Sequence, residues 1–562
     1  MMTNDVLITV TGTNPVINSD VPDPDIIRVG DTYYMATTTM FLMPGCDILR
    51  SYDLIHWEFL THAYAKLGDE ATQQLAEHGR NAYGRGMWAP SLRYHDGLFS
   101  IVFVANDTHR TYVLEATDPA GPWSKRVIEG FYHDNSVLYD DDGRVYIVYG
   151  NMQLHLTEME PDLSRPKQGG LDRIIAEDNP RAGLGYEGCH IYKHNGRYYV
   201  WTCHFPPNHR KTEACLVSET LDGEFTAREI LDDDLGFHGL GVAQGGMVDT
   251  PSGDWYAFMM HDRGALGRAL TIMPMRFDDD GFPVLGDNGR VPRTVSVTGV
   301  SAERAKHTYA PLNGSDDFRY IADADNNVAS TDLHPYWQFN HNPNRAAWSL
   351  SEHSGWLTIR PDHVVPNINY AHNTLTQRTV GPRCAAEVTL EASDLRVGDV
   401  AGLAAMQGYY RFVAVTRTAD GLQLTVRVKP YREGSVFGDG NWDSAAVETA
   451  SAILHSSRVR LRAVYDFTDM ADTVTFFYQP IEDVDAGNGT TRHADNTFDV
   501  TSYDCSSRSW QQLGDTYRLY YTLDYFTGCR IGLFAYATAQ IGGEARFADF
   551  RFIEPQDLHV KP

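Results

Sequence analysis

The chain is 562 residues long, 42% hydrophobic and 12% aromatic, too long for one ordinary hydrophobic core and apolar enough to pack two. Its 74 acidic and 47 basic residues leave a net charge of -27. That balance excludes nucleic acid and anionic membrane as expected partners, because neutralising phosphates takes clustered Lys and Arg, and it favours a neutral substrate.

The chain opens with MMTNDVLITVTGTNP, which carries neither a basic n-region nor an apolar h-region, and no run of about 18 apolar residues follows anywhere. A cytoplasmic location is the expectation. The cysteines, at 46, 189, 203, 215, 384, 505 and 529, are odd in number, scattered and without a CxxC pair, which predicts reduced thiols.

From residue 23 onward, five stretches fall into one register. They are Asp23-Pro-Asp-Ile-Ile-Arg-Val-Gly30, Trp88-Ala-Pro-Ser-Leu-Arg-Tyr-His-Asp-Gly97, Asp134-Asn-Ser-Val-Leu-Tyr-Asp-Asp-Asp-Gly143, Glu187-Gly-Cys-His-Ile-Tyr-Lys-His-Asn-Gly196 and Gln244-Gly-Gly-Met-Val-Asp-Thr-Pro-Ser-Gly253. Each runs from a polar or aromatic head through a short apolar strand into a Gly turn. An aromatic, β-rich strand follows in each: TYYMAT, LFSIVFV, RVYIVYG, RYYVWT and DWYAFMM. That is a hairpin repeated five times. A spacing of roughly 45 to 70 residues is the period of propeller blades, small antiparallel sheets stacked radially around a channel.

The blade pattern covers residues 14 to 298, and outer strands such as ILRSYDLIHWEFL and YVLEATDPAGPWSKRV repeat with it. After Arg293 the repeat stops, and SAERAKHTYAPLNGSDDF reads as the crossing between domains. Beyond it come long alternating strands: EVTLEA, YYRFVAVTRT, LQLTVRVKP, RVRLRAVYDF, TVTFFYQP and ARFADFRFIE. Alternation with Gly and Asp turns and no helical period predicts an antiparallel β-sandwich. The expected fold is therefore all-β, a five-bladed β-propeller over 1–300 followed by a β-sandwich over 312–562.

In a propeller the innermost strands all start near the axis, so heads distant in sequence meet in space. Three of those heads are carboxylates, Asp23, Asp134 and Glu187. Singly, each reads equally well as a turn starter, a turn cap or a solvated loop residue. Together in one register they form the constellation that glycosidic hydrolysis needs: one group protonates the departing oxygen and another activates water or attacks the sugar. A third carboxylate close by holds the acid's proton on, since like charges disfavour ionisation.

With VPDPDIIRVGDTYYMATTT, GMWAPSLRYHDGLF, DNSVLYDDDGRVY, YEGCHIYKHNGRYY and ALGRALTIMPMRF in place, the chain resembles glycoside hydrolase family 43, the inverting β-xylosidases and α-L-arabinofuranosidases. The resemblance covers nearly the full length, and the sandwich it implies is concanavalin-like. It assigns Asp23 as general base, Glu187 as general acid, and Asp134 as the carboxylate that tunes the acid and orients the sugar. It places Trp88 as an aromatic wall for the terminal sugar and Arg268 as a cation near the acid. Two departures stand out. Thr39-Met-Phe-Leu-Met-Pro-Gly45 replaces an aromatic-rich segment of the xylosidases, so Met40 and Phe41 line the expected pocket with Met40 in place of a Phe. Gln244, counted among the expected substrate-binding residues, stands where many members of the family have an axial His associated with calcium or water. No metal ligand set is therefore expected; no cofactor is required, and a structural calcium gains no support from Gln244. Tyr525-Phe-Thr-Gly528 resembles a sandwich loop lent to the active-site mouth, which makes Phe526 either a pocket wall or a core aromatic of a hairpin.

The expected activity is exo-acting, inverting release of a pentose from arabinoxylan-derived oligosaccharides. The Met40 segment favours an α-L-arabinofuranosidase, with a β-xylosidase or a bifunctional enzyme as the alternative. A long-chain arabinanase fits less well, because a loop over the pocket would block the chain. A retaining fructosidase would need NDPNG-like and RDP motifs that are lacking. A non-catalytic carbohydrate-binding protein would be expected to have lost a carboxylate.

Overall fold

The alternating runs form strands throughout, and the computed structural model describes residues 6–76, 79–321, 328–329, 332–434, 440–481, 509–554 and 556. The chain divides into two units, Met1–Leu67 with Ala82–Leu312, and Gly68–Asn81 with Asn313–Pro562. Residues 68–81, within the range expected to be propeller, thus belong to the second unit.

In the first unit, five four-stranded antiparallel sheets follow one another in chain order. Their innermost strands are Asp25–Val29, Met87–His95, Ser136–Tyr139, Leu184–His194 and Val242–Asp249, and each abuts the next, the last returning to the first. The second strands are the five aromatic runs: Thr32–Thr37, Leu98–Ala105, Val145–Asn151, Arg197–Phe205 and Trp255–Asp262. The core lies between blades. Ile48 of blade one packs with Phe103 of blade two, Val113 with Ile147, Leu156 with Val200, and Trp201 with Met259.

The ring is tied shut by a feature the sequence pattern did not mark. Leu7–Thr13 pairs antiparallel with Thr294–Ser301, just past the point where the repeat ends. Asn14 donates through Nδ2 to the carbonyls of Ile272 (2.7 Å) and Pro292 (2.9 Å), which pins the start of the unit to blade five.

The second unit is an antiparallel sandwich. One sheet runs in the order Val447–Leu454, Gly421–Val428, Arg411–Thr418, Asp399–Met406, Arg530–Ala537, Leu375–Arg378, Gln338–Asn340. The other runs Trp348–Ser349, Leu357–Ile359, Ala545–Ile553, Arg383–Glu391, Arg458–Asp466, Thr473–Ile481, Gln511–Arg518. The alternation is visible in Arg458–Asp466, whose Val459, Leu461, Ala463 and Tyr465 are buried. Its outward Arg458, Arg460 and Arg462 pair with Glu391 and Glu387 at 2.6 to 2.9 Å. The strands foreseen from alternation are all present, and the protein is nearly all-β. Among the described residues the only α-helix is Ala71–Gln74. Cys46, Cys189, Cys203, Cys215, Cys384 and Cys529 are buried free thiols; Cys505 lies outside the described residues.

Candidate active site

Each innermost strand has one residue in the left-handed region, either two positions before it, Asp23 (φ 49°) and Asp134 (φ 48°), or within it, Ala89 (φ 41°), Gly188 (φ 66°) and Gln244 (φ 67°). In blades two, four and five the ladder is bulged at this residue. In blades one to three the side chain two positions later caps the neighbouring blade. Asp25 Oδ2 accepts from Leu92 N at 2.8 Å, Ser91 Oγ from Val137 N at 3.0 Å, and Ser136 Oγ from Ile191 N at 2.9 Å. The left-handed residue is the repeat's true phase mark. It corrects the register read from the sequence, in which Trp88 and Glu187 stood level with Asp23, Asp134 and Gln244. Both actually lie one residue earlier, and this sets them apart chemically. Asp23 and Asp134 are buried, whereas Trp88 and Glu187 are half-buried.

The small axial cavity is lined by Asp23, Ala89, Pro90, Asp134, Asn135, Gly188, Cys189, His190 and Gln244. Glu187 adjoins it through Gly188, and its Oε2 lies 3.8 Å from His133 Nε2, which is 3.9 Å from Asp134 Oδ1. Gly188 cannot be larger: its φ favours glycine, and a Cβ there would stand 2.6 Å from Gln244 Cγ. This is the physical content of the Glu-Gly pair.

Asp23 is held through one oxygen. Arg268 Nη1 donates to Oδ1 at 3.1 Å and Gln244 Nε2 donates to the same Oδ1 at 3.0 Å. Arg268 is itself fixed by its amide, which donates to Asp20 Oδ1 at 2.8 Å. Gln244 is committed at both ends, since Cys203 Sγ lies 3.7 Å from its Oε1 and its backbone N–H donates to Glu213 Oε2 at 2.7 Å. A side chain so engaged positions Asp23. Glu213 is fully buried, and burial pushes its carboxyl well above the usual range.

Burial also drives up the Asp134 carboxyl, and the charges of Glu187 and Asp23 add to that push against the opposing His133, to about 7. For His133, burial disfavours the cation, but Asp134 and Glu187 outweigh it and carry the imidazole up to about 9. Sequence reasoning missed His133, whose only signal was its place immediately before a site carboxylate. It also missed Asn151, the last residue of Val145–Asn151, whose Nδ2 donates to Glu187 Oε2. Asp25 is another axial carboxyl; burial opposes its ionisation, yet Arg93 at 2.7 Å and His190 hold it below its ordinary value.

The other foreseen residues sit around this centre to different degrees. Trp88 donates from Nε1 to Arg85 O at 2.8 Å, and its ring lies 5.8 Å from that of His133. Met40, with φ 53°, is fully buried and exchanges backbone hydrogen bonds with Met87 at 3.1 and 3.2 Å. Phe41 is buried edge-on to Tyr83 at 4.7 Å. Neither is among the residues lining the axial cavity. Phe526, in the second unit, lies on the turn before Arg530–Ala537 with φ 61°, its amide donating to Thr522 O at 2.8 Å.

Comparison with known proteins extends this picture over most of the chain. The family model described as glycosyl hydrolases family 43 matches residues 12–283, and that of the β-xylosidase C-terminal concanavalin A-like domain matches 327–553. A β-xylosidase of Formosa agariphila is 26% identical over 485 residues, 75% of this chain and 78% of that protein. A non-reducing end α-L-arabinofuranosidase of Bacteroides ovatus is 28% identical over 64% of this chain and 66% of its own length. Among solved structures, a bifunctional GH43-CE protein of Bacteroides eggerthii superposes with a TM-score of 0.82 at 34% identity, over 97% of this chain and 64% of that one. An engineered GH43 glycoside hydrolase displaying both endo-xylanase and exo-arabinofuranosidase activity superposes with a TM-score of 0.79 at 26% identity, over 97% and 99%. The chain thus spans about two thirds of the length of some relatives and nearly all of others.

Proposed function

The chain belongs to glycosyl hydrolases family 43, inverting glycosidases of the β-xylosidase and arabinofuranosidase type, and on that premise we propose that it removes single α-L-arabinofuranosyl residues from arabinoxylan-derived oligosaccharides. The observation that carries the chemistry is the division of labour among oxygens. Asp23 has Oδ1 occupied by Arg268 and Gln244, so Oδ2 is the atom that takes a proton from the attacking water. Glu187 has Oε2 occupied by Asn151, so Oε1 carries the proton to the departing oxygen. Water adds to the anomeric carbon as the glycosidic bond breaks on the opposite face, and the configuration inverts in one step. Asp134, with its raised affinity for a proton, and His133 set the charge balance of the pair. Trp88 offers an apolar ring face to the sugar.

The choice of arabinose rests on the relatives named for arabinofuranosidase activity; Met40, fully buried and outside the cavity lining, adds nothing to it. A β-xylosidase is the second reading, favoured by the Formosa relative. The test is to incubate the full chain with arabinoxylan oligosaccharides and with the p-nitrophenyl glycosides of both pentoses, and to follow the anomeric protons by NMR before mutarotation. Free arabinose of inverted configuration is expected. Release of xylose alone overturns the sugar assignment, and a retained anomer overturns the mechanism.

A further inference from the structure

The second unit contains a cluster that hydrolysis does not use. We propose that Asp362, His363 and His372 form a site for a borderline divalent transition metal, with zinc the best match. The three residues lie on the connection between Leu357–Ile359 and Leu375–Arg378, and their ligating atoms fall within 4.8 Å of one another.

The decisive feature is which atoms converge. His372 Nε2 lies 3.3 Å from the carbonyl oxygen of Leu75. A carbonyl only accepts, so the tautomer protonated at Nε2 satisfies that contact and turns the Nδ1 lone pair toward the cluster. That Nδ1 is 2.7 Å from Asp362 Oδ2. Oδ1 of the same carboxylate is 2.6 Å from His363 Nδ1, and the two imidazole rings are 4.2 Å apart. One divalent ion placed among these atoms suits all three donors.

The surroundings are those of metal ligands, whose far ring N–H is normally held by a carbonyl and whose carboxylate is itself hydrogen-bonded. Leu75 does the first. Asn344 Nδ2 does the second, donating to Asp362 Oδ2 at 2.5 Å. Two imidazoles and one carboxylate suit zinc, whereas calcium and magnesium prefer oxygen throughout. Through Leu75, such an ion fastens the short segment Gly68–Asn81 to the sandwich within this unit.

The experiment uses the full chain, stripped with a chelator and titrated with zinc chloride by calorimetry, with cobalt(II) absorption as a second reading of ligand type. One zinc per chain at micromolar concentration or tighter is expected, with a rise in Tm on loading. His363→Ala, whose ring is partly exposed, and His372→Ala are each expected to weaken binding by about 10- to 100-fold and to abolish the Tm rise. Glu187→Gln is expected to leave both unchanged, which separates this cluster from the site in the first unit. If His372→Ala does not fold, His363→Ala decides alone. No zinc binding, binding unchanged in His363→Ala, or binding lost in Glu187→Gln instead overturns the proposal.

Discussion

The charge of His133 can be removed with a predictable consequence. His133 Nε2 stands 3.8 Å from Glu187 and 3.9 Å from Asp134, and its side chain is 22% exposed. At that separation a unit charge contributes between about 1 kcal/mol with bulk-water screening and about 4 kcal/mol at an effective dielectric constant of about 20. One pH unit corresponds to about 1.4 kcal/mol, so the cation weakens proton binding by the carboxyl pair by about one to three units. Partial exposure favours the lower end. His133 is pushed up to about 9, so it stays charged through the acid and neutral range. His133→Phe removes a positive charge beside two carboxyls, which bind their shared proton more tightly. The alkaline limb of kcat/KM, where the acid is lost, is therefore expected to move to higher pH by about one to two units. The assay is kcat/KM on p-nitrophenyl α-L-arabinofuranoside from about pH 4 to pH 10, with His133→Gln as a smaller neutral replacement. A limb that stays in place in both variants, or moves to lower pH, refutes the electrostatic role of His133.

Other perturbations test the remaining parts. Gly188→Ala places a methyl 2.6 Å from Gln244 Cγ at a φ of 66°; a loss of roughly 1 to 3 kcal/mol of stability with at least about tenfold lower kcat is expected from melting curves and kinetics, and normal activity would show that Gln244 need not be held there. Gln244→Leu removes one of two donors to Asp23 Oδ1, and the acid limb of kcat/KM should rise by about one to two units, since a hydrogen bond to a charged group is worth about 1.5 to 3 kcal/mol. For Asp134→Asn the sign follows from a folded-state affinity raised to about 7 against an ordinary 3.8. The native wild type gains from binding that proton and loses the gain as pH rises from about 4 to 7, so the Tm of the variant relative to wild type should climb across that window while activity collapses. Glu187→Ala should cripple substrates with poor leaving groups far more than activated aryl glycosides; equal losses on both would remove Glu187 from the acid role.

The repeat of hairpins, the alternation of the sandwich and the carboxylate heads were all legible because each is a local pattern, written in hydrophobic period and turn residues. Local pattern did not reveal the phase of the heads. The left-handed position is filled by Asp, Ala, Asp, Gly and Gln in the five blades, so no single residue type marks it, and Glu187 and Trp88 were placed one position too far along. The closing strand pair Leu7–Thr13 with Thr294–Ser301 joins segments nearly a whole unit apart, and no local signal announces such a partner. Gln244 was read as a substrate contact, whereas the fold gives its amide to Asp23 and its backbone N–H to Glu213.

By itself, then, the sequence determined which residue types could perform hydrolysis and that a radial β-fold would carry them, because periodicity and turn chemistry act over a few residues. Only the tertiary structure decided which oxygen of Asp23 and of Glu187 accepts the neighbouring amide, that burial pushes the Asp134 carboxyl up to about 7, and that His133 stands beside it. Those outcomes depend on burial and on distances of 3 to 4 Å between residues tens to hundreds of positions apart, such as Asp23 with Gln244 and Arg268, or His133 with Glu187. Electrostatic energies at that range are set by folded geometry alone.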